Sequence, residues 1–430
     1  MLYFLVRPIA RWSLRIYLGR IHVTGLEHIP AGRPVILAAN HPTTFIEPCL
    51  LACYQPRSLW FLARGGLFGN PVMDRILAGL NILPVYRLRD GGYGKLKNNF
   101  DTFAACYRAL YRRRALMILA EGRCVHEKRL RPLVKGSGRI ALGTLAEHPD
   151  LAEVYIVPVA VNFTHADRLG SDVGIACLPP LLASPHRAEF STNPNGAIAA
   201  LTDDLAAALR RGVIHIADPA DDRLVEHGLQ TLRAGWGTDL PLDRQLAAEY
   251  RFVEWINGLP AAAKERMNHA ADAYFARLAQ LRIGPAGPAA VGKEEPKAKP
   301  YALTIAAVLL LLPQLPILAI AQLTAGNLYE LEYYNPVRWA AYTIGLAVLL
   351  LLLPVMLLIG WYTAAAVLAV SIAAAPWSAR RLRETGRLWH RHRAQLRIAP
   401  ELADLKELRT AWQQQLGATD WLQPSVNVLP

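Results

Sequence analysis

The sequence predicts an α/β domain with flanking helices, followed by a helical extension and C-terminal transmembrane helices. Three observations predict it. Between about residues 21 and 182, short apolar runs alternate with helical stretches, the pattern of buried strands joined by crossover helices. From 191 to 283 the chain becomes rich in Ala and Leu at helical spacing, as in AIAALTDDLAAALRRG. Beyond that, residues 301–323 and 339–375 contain no charged side chain, which a soluble core helix explains poorly.

Composition agrees and narrows the partners. Of 430 residues, 53% are apolar and 19% charged, and 47 Lys and Arg against 34 Asp and Glu leave a net charge of +13. That excludes an acidic or disordered scaffold and suits an anionic partner: nucleic acid, an anionic membrane surface or a phosphorylated substrate. Five cysteines (Cys49, Cys53, Cys106, Cys124 and Cys177) with no C-x-x-C pair suggest neither a disulfide framework nor a zinc site, and point to a reducing compartment.

In chain order, MLYFLVRPIARWSLRIYLGR lacks the long apolar stretch and cleavage site of a signal peptide. Arg7, Arg11 and Arg15 recur every four residues among Phe4, Leu5, Ile9, Trp12 and Ile16, so residues 1–20 read as a basic amphipathic helix, lying in a membrane interface or packed on its own domain. The α/β domain spans 21–190. Its strands are VILAAN (35–40), LWFLAR (59–64), ILPVYR (82–87), LMILAEG (116–122) and VYIVPVAVNF (154–163), and 171–182 can add another. A helical extension follows at 191–283, then GPAGPAAVGKEEPKAKP (284–300), whose four prolines mark a linker.

Residues 301–376 read as a membrane anchor with about two crossings. The uncharged stretch 339–375 would reach roughly 55 Å as one straight helix, against a hydrocarbon thickness of about 30 Å. It must therefore kink, tilt or lie along the interface, with Pro354 as the break point, as Pro313 and Pro316 are in the first span. The connection 324–338 carries Glu330 and Glu332 against Arg338, whereas 377–393 carries six arginines against Glu384. The positive-inside rule puts the Arg-rich end in the cytoplasm, and two crossings put the α/β domain on the same face. Residues 377–430 form a basic cytoplasmic tail ending in an amphipathic helix.

Four elements carry chemistry. In AANHPTTFIEPCL a strand ends in Asn40-His41, and Glu47 follows at the start of a helix, with Pro48 at its first position or a Thr44–Glu47 capping box three residues earlier. A carboxylate can fix the tautomer of an imidazole whose other nitrogen takes a proton from an alcohol. No third ligand completes a metal site. Next, ILPVYRLRDGG delivers Arg87 at a strand end. Third, ILAEGRCVHEKRLRPLVKGSGR sets Glu121-Gly122-Arg123 in a turn before a basic stretch. Arginines at strand ends suit phosphate, since guanidinium gives two parallel hydrogen bonds to its oxygens. Lys135 joins that phosphate group, whereas Lys128, Arg129 and Arg131 read as a solvated basic face. Fourth, Pro158 in Val157-Pro158-Val159 marks an edge or a bend near a pocket. KGSGR lacks the rest of a phosphate loop, and without a recognised module nucleic acid is not expected as a partner.

In this order and spacing the four elements resemble the blocks of the glycerolipid acyltransferase family, the enzymes that acylate glycerol 3-phosphate or 1-acylglycerol 3-phosphate. Asn40-His41 with Glu47 is similar to the first block in the branch with five residues between His and the carboxylate. Ile82 to Arg87 is similar to G-x-I-P-V-x-R, with Asn81 in place of Gly. Leu119 to Arg123 is similar to F-P-E-G-x-S, with Leu-Ala for Phe-Pro and Cys124 for the hydroxyl residue. Val157 to Val159 is similar to V-P-V. The resemblance covers roughly 21–182.

It implies a mixed sheet with flanking helices and a membrane-bound O-acyltransferase of phospholipid synthesis. His41 would be the general base and Glu47 its orienting partner. Arg87, Arg123 and Lys135 would bind the substrate phosphate, and Asn40, Glu121, Gly122 and Pro158 would form the pocket. The expected partners are acyl-CoA (or acyl-carrier protein) as donor, glycerol 3-phosphate or lysophosphatidic acid as acceptor, and an anionic phospholipid membrane. No cofactor or metal is expected beyond acyl-CoA as co-substrate. The departures at Glu47, Ala120 and Cys124 motivate a second expectation, a weakly active or inactive membrane-anchored lipid-binding or scaffold protein on the same fold.

Overall fold

The structure, a computed structural model, describes residues 2–86, 99–236, 240–290, 300–326, 328, 330–398 and 402–417. The chain forms two compact units, one holding residues up to Val213 with Ile320–Ala347, the other Ile214–Ala319 with the chain from Val348 onward.

The first unit is built on an eight-stranded mixed sheet. Its strands are β1 (Ile21–Thr24), β2 (Val35–Ala39), β3 (Leu59–Arg64), β4 (Ile82–Val85), β5 (Ala115–Leu119), β6 (Tyr155–Phe163), β7 (Val173–Cys177) and β8 (Leu181–Leu182), in the order β1-β7-β6-β2-β5-β3-β4 with β8 also on β6. The core strands β6, β2, β5, β3 and β4 are parallel, whereas β7 and β8 run antiparallel to β6. The helices are α1 (Leu2–Tyr17), α2 (Ile46–Tyr54), α3 (Pro71–Gly79), α4 (Asn99–Tyr111), α5 (Gly136–Glu147), α6 (Arg187–Thr192) and α7 (Pro194–Arg210).

Both faces of the sheet are covered, so its central strands are continuous apolar runs and side-chain parity alone decides which layer each residue joins. Ile36, Ala38, Leu116, Ile118 and Ile156 pack with Leu110 of α4, Ile140 and Leu145 of α5, and Ile198, Leu201 and Leu209 of α7. Val35, Leu37, Met117, Val157 and Val161 pack on the opposite face with Leu14 and Tyr17 of α1, Leu50 and Leu51 of α2, and Trp339. Because α7 closes the first of these layers, the body expected to end at 190 extends to Val213.

Three further expectations change. The apolar stripe of α1 is buried against its own unit, with the Arg7 guanidinium donating to the Gln55 carbonyl and that of Arg11 lying 4.9 Å from the centre of the Tyr54 ring. Only Phe4 and Leu5 on α1 remain largely exposed apolar side chains. Pro158 marks no sheet edge, since β6 is an interior strand. Its carbonyl accepts from Leu178 N–H at 2.9 Å, so its missing N–H faces the junction between β7 and β8 and the ladder to β2 is intact. The short β1, half-buried and only four residues long, has no apolar run to announce it.

The second unit contains α8 (Asp222–Trp236), α9 (Leu242–Asn257), α10 (Ala261–Gln280), the short α11 (Ala286–Ala290) and α12 (Pro300–Leu311), then α13 (Leu315–Gly326), α14 (Leu331–Leu358) and α15 (Tyr362–Ile398) in part or whole, and α16 (Leu402–Leu416). Phe252, Ile256, Tyr274, Leu278, Leu405 and Trp412 form its core. The segment expected as a bare linker is helical at Ala286–Ala290, where Arg409 donates to the Pro288 carbonyl at 2.7 Å. Pro288 is the third residue of this helix, a first-turn position where a missing N–H costs little. Residues 291–299 lie outside the described residues.

Among the described residues three helices are long and apolar enough to cross a membrane: Ala302–Gly326, Glu332–Leu358 and Tyr362–His390. Length and composition thus mark three candidate helices in the stretch read as about two crossings, and the break differs from the expected one. Pro354 lies within the continuous α14, and the chain turns instead at Gly360 (φ 82). Trp361 N–H bonds the Met356 carbonyl at 2.8 Å and Gly360 N–H that of Leu357 at 3.3 Å, a Schellman ending with glycine in its left-handed position. In the first candidate, the turn Leu312–Gln314 holds the expected break, and the buried Gln314 donates to Ser371 of α15. The Thr304 and Thr385 hydroxyls lie 2.8 Å apart, which fixes the level of α12 against α15.

Candidate active site

The parallel strands β2, β5, β3 and β4 all end on one edge of the sheet, the edge where open α/β sheets place their ligands. Asn40 and His41 follow β2 there. The Asn40 carboxamide acts as an extra ladder rung: Nδ2 donates to the Val161 carbonyl at 2.9 Å and Oδ1 accepts the Val161 N–H at 2.8 Å. Asn40 thus fastens the end of β2 to β6 through both the nitrogen and the oxygen of its amide.

His41 is clamped through its backbone. Its N–H donates to Glu121 Oε2 at 3.0 Å, and its carbonyl accepts from Val125 N–H at 3.4 Å. Its side chain is 8% exposed and that of Glu47 fully buried, with His41 Nδ1 3.8 Å from Glu47 Oε1. Nδ1 is buried without a hydrogen-bond partner, whereas Nε2 is not closed off in that way. The spacing is longer than a hydrogen bond, as is common for catalytic pairs before substrate arrives.

Glu47 is held by Thr43, which gives its backbone N–H to Oε1 and its hydroxyl to Oε2 at 2.7 Å. Helix α2 starts at Ile46, so Pro48 is its third residue, and the Ile46 N–H points to Thr43 Oγ1 at 3.3 Å. The N-cap is Phe45, which gives no side-chain cap, and the hydroxyl that meets the first helical N–H is that of Thr43, not Thr44. The Thr44 hydroxyl donates instead to the Glu332 carbonyl at the start of α14, 2.7 Å away.

After β5 the chain turns at Gly122 (φ 71), where an added Cβ would stand 2.9 Å from Val134. Glu121 is buried and accepts three bonds: from His41 N–H, from Arg131 N–H at 2.9 Å and from the Arg131 guanidinium at 2.8 Å. Arg131 is thus no member of a solvated face. Its side chain, 10% exposed, is the counter-ion that lets a carboxylate sit beneath His41. Lys128 donates to the Thr164 carbonyl and Arg129 is 84% covered, so neither of these is freely solvated.

Arg123 is exposed, and its side chain has no partner among the described residues. Lys135 is likewise exposed, at the residue before α5. Val134 N–H bonds the Ala120 carbonyl at 2.8 Å, which brings the backbones flanking these two cations side by side at the mouth of one loop. Arg87 lies outside the described residues, which end at Tyr86 in this part of the chain. Burial pushes the Cys124 thiol up, which disfavours the thiolate a nucleophile requires. Burial also depresses the neighbouring His126, both of whose ring nitrogens are enclosed without partners. Among the described residues no group of three or more His, Cys, Asp or Glu side chains is placed to hold a metal ion.

Sequence reasoning missed Thr43, Arg131 and the start of α14. A Thr four residues before a helical Glu was a usable signal for the first. Nothing in the sequence distinguishes Arg131 from its basic neighbours.

The sheet thus presents the His41 imidazole and the buried Glu47 carboxylate together at its strand ends. The family model described as Acyltransferase matches residues 20–162, and this stretch is an acyltransferase domain. Among solved structures, the 1-acyl-sn-glycerophosphate (LPA) acyltransferase PlsC from Thermotoga maritima is similar, at 18% identity and a TM-score of 0.35, over 49% of this chain and 79% of that one. No curated protein matches the chain.

Proposed function

We propose that the chain is a membrane-bound O-acyltransferase that moves a fatty acyl group from acyl-CoA, or from acyl-carrier protein, to a hydroxyl of glycerol 3-phosphate or 1-acylglycerol 3-phosphate. The observation that carries this reading is the His41 imidazole facing the buried Glu47 carboxylate within the matched acyltransferase segment. His41 Nε2 takes the proton of the acceptor hydroxyl as its oxygen attacks the thioester carbonyl, while Glu47 steadies the imidazolium from the Nδ1 side. The tetrahedral intermediate expels the thiolate, which recovers the proton from His41. The products are ester and free thiol, and no acyl-enzyme forms.

Arg123 and Lys135, with Arg87, bind the acceptor phosphate, a role favoured by the uncommitted side chains of the first two. Glu121, Gly122 and Asn40 shape the pocket by fixing the His41 backbone, and Pro158 lines the donor side. The candidate spans hold the site at a bilayer, into which the product partitions.

The catalytic unit faces the cytoplasm in this reading. Thr304, near the start of the first candidate span, meets Thr385, near the end of the third, at one level. An even number of full crossings gives that level match and three do not. The Arg-rich end then marks the cytoplasmic side.

Incubating the purified chain with labelled acyl-CoA and either acceptor, and identifying the lipid formed, tests the proposal. His41→Ala should abolish nearly all turnover while the protein remains in the membrane fraction. Full turnover in that variant would remove the general-base assignment, and no labelled lipid from the unaltered chain would favour the scaffold reading.

A further inference from the structure

Of the nine residues of α3, only Leu77 is buried. The helix is firmly started, with Asn70 Oδ1 accepting from the Val72 and Met73 N–H groups at 3.0 and 3.3 Å. Yet a helix this short draws its stability from packing, and its other large apolar side chains are outside: Val72, Met73 and Ile76 are between 40% and 66% exposed. At about 100° per residue these three fill an arc of about 100° next to Leu77, whereas Arg75 and Asp74 lie about 110° and 150° from its middle. The turn before α3 adds Leu67, and the first turn of α1 adds Phe4 and Leu5, all three more than half exposed. The two helices meet where a Cβ on Gly79 would stand 3.2 Å from the Cβ of Leu2. Acyl transfer at His41 uses none of these side chains, and so many on adjoining elements mark an interaction surface.

Charge selects what covers it. Residues 2–86 carry eight arginines against three acids, Glu27, Glu47 and Asp74, and Glu47 is buried. Arg11, Arg64 and Arg75 are exposed on the same elements or next to them. A second copy of the chain would bring like charges together, whereas an anionic lipid surface attracts them. Residues 87–98, outside the described ones, hold four Lys or Arg and three apolar residues, a composition that offers the face little apolar cover. The same unit contains the first part of α14, which belongs to a candidate span. A helix with an apolar arc and its charges to the sides and back lies in a bilayer interface with the arc immersed by about 5–10 Å.

We propose that α3, with Leu67 and the first turn of α1, dips into the surface of an anionic bilayer and gives the catalytic unit a lipid contact of its own, apart from the candidate spans. This rests on the membrane half of the proposed function and not on the acyl transfer.

The full chain is reconstituted in liposomes of phosphatidylcholine and phosphatidylglycerol that carry a phospholipid with a diazirine close to its glycerol. After irradiation, labelled peptides are mapped by mass spectrometry, with α7, on the opposite face of the sheet, as background. Residues 65–79 should be labelled well above α7. Val72→Gln with Ile76→Gln should lower that label by about tenfold or more, the least that taking one large apolar side chain out of lipid implies. Both positions are exposed and Gln is a good helix former, so the double variant should fold, which far-ultraviolet circular dichroism verifies. Its candidate spans should be labelled as in the unaltered chain. Label on 65–79 no higher than on α7, in a chain that resists extraction by alkaline carbonate, would overturn the proposal and leave the membrane reading standing. The same result with a dimeric mass in detergent would assign the face to a second copy and equally overturn it. Extraction of the unaltered chain by carbonate would overturn the membrane reading and this proposal with it.

Discussion

Replacing Glu47 by Gln separates the carboxylate's charge from its shape. Oε1 stands 3.8 Å from His41 Nδ1 and the side chain is fully buried. At about 4 Å and an effective dielectric of about 20, two unit charges interact by about 4 kcal/mol. If half of the imidazolium charge has developed at the transition state, the loss is about 2 kcal/mol, or about thirtyfold in kcat, and full development gives about a thousandfold. Folding should be little affected, because the amide oxygen still accepts the Thr43 N–H and the Thr43 hydroxyl can turn to accept from the new NH2. Glu47→Asp makes the complementary change, keeping the charge while withdrawing it by about 1.5 Å, one carbon–carbon bond.

Steady-state kinetics with labelled acyl-CoA should therefore order kcat as unaltered, then Asp, then Gln, with the acceptor KM changed by less than about twofold in the Gln variant. A Glu47 that only packed would reverse the two variants, since Asp disturbs the Thr43 contacts more than the isosteric amide does. That reversed order, or a Gln variant within about threefold of the unaltered kcat, would refute the argument that the carboxylate acts through the imidazole.

Arg131→Met removes the counter-ion of Glu121 and should cost about 3 kcal/mol of stability, at the low end for a broken buried pair because two backbone N–H donors remain. It should also lower kcat by loosening the His41 backbone, and an unchanged thermal midpoint would count against the brace. His126 is held below its ordinary value by burial, so its contribution to stability is complete above about pH 6.5 and is lost as pH falls through the depressed folded value. The thermal midpoint of the unaltered chain should thus fall more steeply from about pH 7 to 5 than that of His126→Leu, and parallel curves would exclude the effect.

The strands the sequence displayed best were those buried on both faces. VILAAN, LMILAEG and VYIVPVAVNF are apolar throughout, because helices cover each side of β2, β5 and β6. The half-buried β1 left no such trace. Residues at strand ends were legible for the same reason: once β2 and β5 are fixed, Asn40-His41 and Glu121-Gly122 must emerge at one edge. What the sequence could not supply was the choice among equivalent partners. Glu121 needs a cation, and Arg123, Lys128, Arg129 and Arg131 all follow within ten residues. Only the return of the chain to Val134 N–H on the Ala120 carbonyl selects Arg131. Pro354 misled because proline weakens a helix without ending it where neighbouring helices and side chains re-satisfy the backbone. Gly360 in the left-handed position ends it outright.

The start of α14 lies furthest from local sequence logic, because its role depends on closures across some three hundred residues. Trp339 Nε1 donates to Ser13 Oγ at 2.9 Å, the Tyr17 hydroxyl donates to Asn335 at 2.7 Å, and Thr44 donates to the Glu332 carbonyl. Ser13, Tyr17 and Asn335 are buried. Withdrawing α14 would strand these groups at about 1–3 kcal/mol each and release Thr44, three residues from His41. A helix that composition marks only as a membrane span is thereby also a wall of the catalytic unit. The candidate span and the positioning of the His41 loop then share one element, and a change at Trp339 should be felt in kcat although it touches neither His41 nor Glu47.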